Sequence, residues 1–100
     1  MTGLQIRLPR LVATREAADE LVAEAEGAPV DGRAWVLGSA LATSTISFAD
    51  ELVQELAARG AEQIVLVAGT KRFTEQMLDA ASRHEPVKVR PASAAELAQI

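Results

Sequence analysis

The sequence contains no cysteine, no tyrosine and a single histidine in 100 residues. Without thiols there is no disulfide, no thiol nucleophile and no cysteine-bearing zinc site. With one histidine and no cysteine, neither a Ser-His-Asp nor a Cys-His set can be assembled, and a metal would have to rely on carboxylates alone. The expectation is a protein with no catalytic residues, no metal and no cofactor, hence not an enzyme. Aromatic residues are limited to Trp35, Phe48 and Phe73, so the core is expected to be shallow and aliphatic. No apolar run approaches the roughly 18 residues of a membrane span, and the first residues lack the apolar stretch of a secretory leader. A cytoplasmic, non-membrane protein is the expectation. A basic excess is also missing: 10 Lys and Arg face 14 Asp and Glu, a net charge of −4. That balance argues against a general nucleic-acid or anionic-membrane binder, whose footprint is normally positive. The preponderance of Arg over Lys, with abundant Ala and Val, points to a GC-rich bacterial source.

What is present is a regular alternation of two periodicities in one domain spanning 1–100. Leu4-Gln5-Ile6-Arg7-Leu8 alternates with period two and ends at Pro9, the pattern of a strand with one buried face. Thr14 caps a helix expected to run to about Glu26, with Ala18, Leu21, Val22 and Ala25 inward and Arg15, Glu16, Asp19, Glu20 and Glu24 outward. Ala34-Trp35-Val36-Leu37 and Gln63-Ile64-Val65-Leu66-Val67-Ala68 are continuous apolar runs, as in central strands covered on both faces. Between them lies a helix carrying Phe48, Leu52, Val53 and Leu56 on its inner stripe and closed by Gly60. Gly69-Thr70 opens another helix with Phe73, Met77, Leu78 and Ala81 inward, ended by Pro86. Val87-Lys88-Val89-Arg90 alternates and reads as an edge strand. Ser93-Ala94-Ala95-Glu96 is a capping-box pattern opening a short last helix. The predicted fold is a single small α/β domain with a four-stranded, mostly parallel or mixed sheet and alternating helices.

The segment Thr43-Ser44-Thr45-Ile46-Ser47 places four hydroxyls where a buried strand hands over to a helix. A helix start offers unpaired N–H groups and a partial positive charge, suited to a carboxylate or phosphate. One hydroxyl is expected to serve as the cap, and Ser47 with Asp50 three residues on has the form of a capping box. The other hydroxyls are then available as a contact or modification surface.

Ser47-Phe48-Ala49-Asp50-Glu51-Leu52 after a hydrophobic strand and a hydroxyl-rich turn resembles the STAS-like domains of bacteria. These belong to the wider STAS superfamily, which includes the anti-sigma factor antagonists. Thr14 to Leu21 is similar to that family's first helix, Gly60 to Val67 to its glycine-led strand, and Ala92 to Leu97 to its closing helix. The chain departs from the family where Gly38 stands near the usual strand-ending Asp. It also has Ser44-Thr45-Ile46-Ser47 in place of Asp-Ser-Ser-Gly. Alignment on Phe48 sets Ile46 at the phosphoacceptor position, and a one-residue shift brings Thr45 or Ser47 there. The resemblance implies a STAS-like fold and a non-catalytic regulatory module that binds a protein partner, such as a histidine-kinase-like ATPase or an anti-sigma factor. It also implies a phospho-switch, for which Ser47, Thr45 and Ser44 are the candidate acceptors.

The expected contact surface is Thr43, Ser44, Thr45, Ser47, Asp50, Glu51 and Gln54. Two further readings stay open. Thr70, Lys71 and Arg72 set two cations at a helix start, where an anion such as a nucleotide phosphate would be welcome, although the spacing of a P-loop is missing; the domain would then be a small-ligand or nucleotide sensor. Alternatively, Ala-rich helix faces allow close docking, and the chain would act as a structural homodimer. His84, near a helix end, is expected to be a surface residue favoured by the helix dipole. The acidic side chains of the first two helices are expected to form solvated outer faces, with nothing to shift their pKa values.

Overall fold

Alternation decides which way each strand faces, and the connections decide where the helices lie. The computed structural model describes residues 3–98. In chain order the elements are β1 (Leu4–Arg7), β2 (Leu11–Val12), α1 (Arg15–Glu24), β3 (Arg33–Leu37) and β4 (Thr43–Ser44), followed by α2 (Ile46–Ala58), β5 (Gln63–Val67), α3 (Lys71–Arg83), β6 (Lys88–Pro91) and α4 (Ala94–Leu97). The main sheet has the order β1-β3-β5-β6 and every pairing is parallel. The predicted α/β architecture is therefore present, with the two continuous apolar runs at the centre and the alternating strands at the edges.

Because neighbouring strands follow chain order, right-handed crossovers put their connecting helices on one face. Accordingly α2 packs between α1 and α3. The core between sheet and helices takes Leu4, Ile6, Ala34, Val36, Ile64, Leu66 and Val89 from the strands and Phe48, Leu52, Leu56, Phe73 and Met77 from the helices. The opposite face carries the other half of each alternation, including Trp35, Leu37 and Val65, which are also buried. The two central strands thus read as unbroken apolar runs because both of their faces are covered.

Three local expectations are corrected. Leu78, expected inward, is 47% exposed, while Ala80 is fully buried in its stead. The inner stripe of α3 runs Phe73, Met77, Ala80 and Ala81, and Leu78 lies one helical step beyond it. The first helix ends at Glu24 rather than about Glu26, with Ala25 as its C-cap. A second, two-stranded parallel sheet is also present, pairing Leu11 with Thr43 and Val12 with Ser44. It is too short to show a period. Thr14 caps α1, Thr70 caps α3, and Ser93 with Glu96 forms the complete capping box of α4.

Candidate functional site

The hydroxyl-rich segment lies beyond the carboxyl ends of β3 and β5, where the two strand-to-helix turns touch. The Gly38 N–H donates to the Val67 carbonyl at 2.8 Å. A Cβ on Gly38 would stand 3.2 Å from the Gly69 Cα, so any side chain there would push the two turns apart. This contact favours glycine at position 38.

Thr45, not Ser47, caps α2. Its Oγ1 accepts from the Phe48 N–H at 3.2 Å and donates to the Ala13 carbonyl at 2.7 Å. The capping box expected of Ser47 and Asp50 is absent because the helix begins two residues earlier, at Ile46, which places Ser47 inside the first turn. Ser44 is buried in β4, where its hydroxyl donates to Gln76 Oε1 at 2.6 Å. Of the four hydroxyls, two are therefore committed to internal bonds. Thr43 and Ser47 are exposed, and neither side chain has a hydrogen bond among the described residues.

Between these hydroxyls stands Ile46, 61% exposed at the first position of α2. It stands three residues before the buried Ala49 and seven before the buried Val53, so helical spacing alone does not mark it as exposed; its place at the very start of the helix does. Ile46 closes one side of an open groove of about 300 Å³ whose other wall is the Arg72, Glu75, Gln76 and Asp79 face of α3. Leu11, on β2 beside Thr43, is a second large apolar side chain exposed at this end of the molecule, also at 61%. Thr70 spends its hydroxyl on the Phe73 N–H, and Lys71 and Arg72 are exposed, with Arg72 facing the groove.

The acidic face of α2 is not a solvated outer face, because helices flank α2 on both sides. Asp50 accepts from Arg15 of α1 at 2.9 Å through Oδ2. Its Oδ1 meets Arg83 at 3.2 Å and His84 Nε2 at 2.9 Å, at the end of α3. Partial burial opposes ionisation, yet the hydrogen bonds from Arg15, His84 and Arg83 prevail and hold the carboxyl down at about 2. The expectation of unshifted carboxylates fails here, and His84, expected at the surface, is partly buried against Asp50. Arg83 also bonds Asp79 one turn earlier. Glu51 accepts from Arg15 at 3.2 Å and lies against Asp19, whose carboxyl is pushed up mainly by its hydrogen bond to Glu51. Carboxylate oxygens of Asp19, Glu51 and Glu55 lie within 4.8 Å of one another. They occupy a helix surface that Arg15 already shares, and nothing further assigns a metal to them. Gln54 is exposed.

The structure therefore sets Ile46 against the α3 groove and pairs Thr43 with Leu11 on the small sheet, with Ser47 exposed in the first turn of α2. It turns Ser44 and Thr45 inward and engages Asp50 and Glu51 within the helix layer. Among the described residues no helix is long and apolar enough to cross a membrane. No protein-family model matches the chain, and neither a curated protein nor a solved structure matches it.

Proposed function

We propose that this chain is a non-catalytic, cytoplasmic regulatory module of bacterial origin that binds a protein partner, in the manner its resemblance to anti-sigma factor antagonists implies. The contact surface is the end of the molecule that carries Leu11, Thr43, Ile46 and Ser47. The supporting observation is Ile46. A branched aliphatic side chain held 61% exposed at a helix start, on a backbone fixed by the Thr45 cap and the Ser44–Gln76 bond, is an apolar anchor presented in a rigid setting. Anchors of this kind, ringed by polar groups, dominate binding at interfaces. Asp50 and Glu51 support the surface by fixing α2 between its neighbours and are not themselves contact residues. Among the hydroxyls named as acceptors, Ser47 is the one a kinase could reach without breaking an internal hydrogen bond. Phosphate there would add charge beside the anchor and repel the partner, while the helix dipole would tolerate it.

The test is affinity purification from the native host with the parent chain, Ile46→Asp and Leu78→Asp, the last placing the same charge on an exposed apolar residue elsewhere. A stoichiometric protein retained by the parent and by Leu78→Asp but lost by Ile46→Asp supports the proposal. A partner retained equally by all three overturns it. A nucleotide sensor would instead gain thermal stability with added nucleotide, by RT ln(1 + [L]/Kd), and a homodimer would melt at a temperature that rises with protein concentration.

A further inference from the structure

The second face of the sheet, opposite α1, α2 and α3, has a charge pattern unlike the rest of this acidic chain. Alternation puts Arg7, Arg33, Lys88 and Arg90 on that face, with Gln5, Trp35, Leu37, Gln63, Val65 and Val67 and no acidic residue of the four strands. One carboxylate, Glu96 of α4, reaches the centre of this cationic field. It is buried at 6% exposure, and it is the one buried side chain of α4. Leu97 is half exposed and the helix alanines are exposed.

The cradle around Glu96 has several parts. Arg90 grips both carboxylate oxygens, with NH2 at 2.8 Å from Oε2, and Gln63 Oε1 braces the same guanidinium at 3.2 Å. Arg33 donates to Oε2 at 3.3 Å while its guanidinium lies over the Trp35 ring, 5.6 Å from the centroid. Asp31, largely exposed, stands 3.7 Å from Arg33. The Ser93 N–H completes the set on Oε1 at 2.9 Å. Two arginines, one gripping both oxygens and one stacked on an aromatic ring, form an arrangement that recognises carboxylates wherever planar, two-oxygen contacts matter.

We propose that this cradle is a receptor for an acidic peptide segment of a partner and that α4 fills it in cis, with Glu96 as the internal ligand. A helix that buries a charge and little apolar surface is held by contacts an equivalent carboxylate can replace. Displacement of α4 would free Arg33 and Arg90 together, and the Trp35 ring under Arg33 would report the change. The face lies on the opposite side of the sheet from the helix layer, so the inference stands or falls separately from the Ile46 surface.

The probe is an acetylated, amidated hexaglutamate peptide, with hexalysine as control, titrated at low ionic strength against the full chain. Binding is followed by the emission of Trp35, the sole tryptophan. The parent must first open α4, so Glu96→Ala should bind hexaglutamate at least about tenfold more tightly than the parent. Glu96→Ala combined with Arg33→Gln should lose that gain. Equal affinity of parent and Glu96→Ala, or a gain that survives Arg33→Gln, overturns the proposal. Should Glu96→Ala fail to fold, amide exchange of residues 93–98 in the parent decides: acceleration by hexaglutamate supports the receptor, and unchanged exchange at saturating peptide overturns it.

Discussion

Asp50→Asn removes one charge from the point where three helices meet, and its cost depends on pH in a defined way. In the folded chain the Asp50 carboxyl is held at about 2, against an ordinary 3.8. At about 1.4 kcal/mol per pH unit, that difference corresponds to about 2.4 kcal/mol of folding stability at neutral pH. Asp50 is 15% exposed, but its partners Arg15 and Arg83 are 49% and 43% exposed, so solvent screening reduces the expected value to about 1–2 kcal/mol. A lowered folded-state pKa means that the contribution is fully present above about pH 4 and is lost as the pH falls from 3.8 towards 2. Urea unfolding of parent and Asp50→Asn at pH 7, 5, 3 and 2 measures this directly. The two should differ by about 1–2 kcal/mol at pH 7 and pH 5 and by no more than about 0.4 kcal/mol at pH 2. Acid losses at Glu96 occur in both proteins and cancel in the difference. A gap that persists unchanged at pH 2 would show that Asp50 acts by packing or shape, and a negligible gap at pH 7 would show that the three helices do not depend on the node.

Phe48 is fully buried in the first turn of α2, so Phe48→Ala should lose about 3–5 kcal/mol in chemical denaturation, and a melting temperature within a few degrees of the parent would contradict its placement. Met77→Ala and Leu78→Ala should separate clearly in the same assay: the buried Met77 costs about 2–5 kcal/mol and the half-exposed Leu78 less than about 1 kcal/mol, whereas equal losses would mean that the face of α3 is misplaced. Thr45→Val removes the α2 cap and the bond to Ala13 together and should cost about 1–2 kcal/mol, while Ser47→Ala should stay within about 0.5 kcal/mol; the reverse order in thermal melts would return the cap to Ser47.

The sequence by itself determined the order of the four main-sheet strands and the four helices, the central pair of strands and two of the helix caps. Each of these is written in local chemistry. Unbroken apolar runs at 34–37 and 63–68 require cover on both faces, and Thr14 and Ser93 each meet an N–H three residues on. Those relations act within a few residues and need no knowledge of the fold. At the start of α2 local chemistry pointed to Ser47, because Ser47 and Asp50 have the spacing of a capping box, yet Thr45 is the cap. The choice went to Thr45 through its bond to the Ala13 carbonyl, a group 32 residues away. The same holds for Leu11–Val12, whose two residues become a strand only because Thr43 and Ser44 lie alongside. Asp50 was legible as a helix residue, but Arg15, Arg83 and His84 come from two other helices that only the winding of the chain brings to its sides. Glu96 likewise was visible as half of a capping box, while Arg33 and Arg90 reach it from two strands of the sheet. Charge pairs between distant segments carry no periodicity, so the tertiary structure alone decided which acids are solvated and which hold the molecule together.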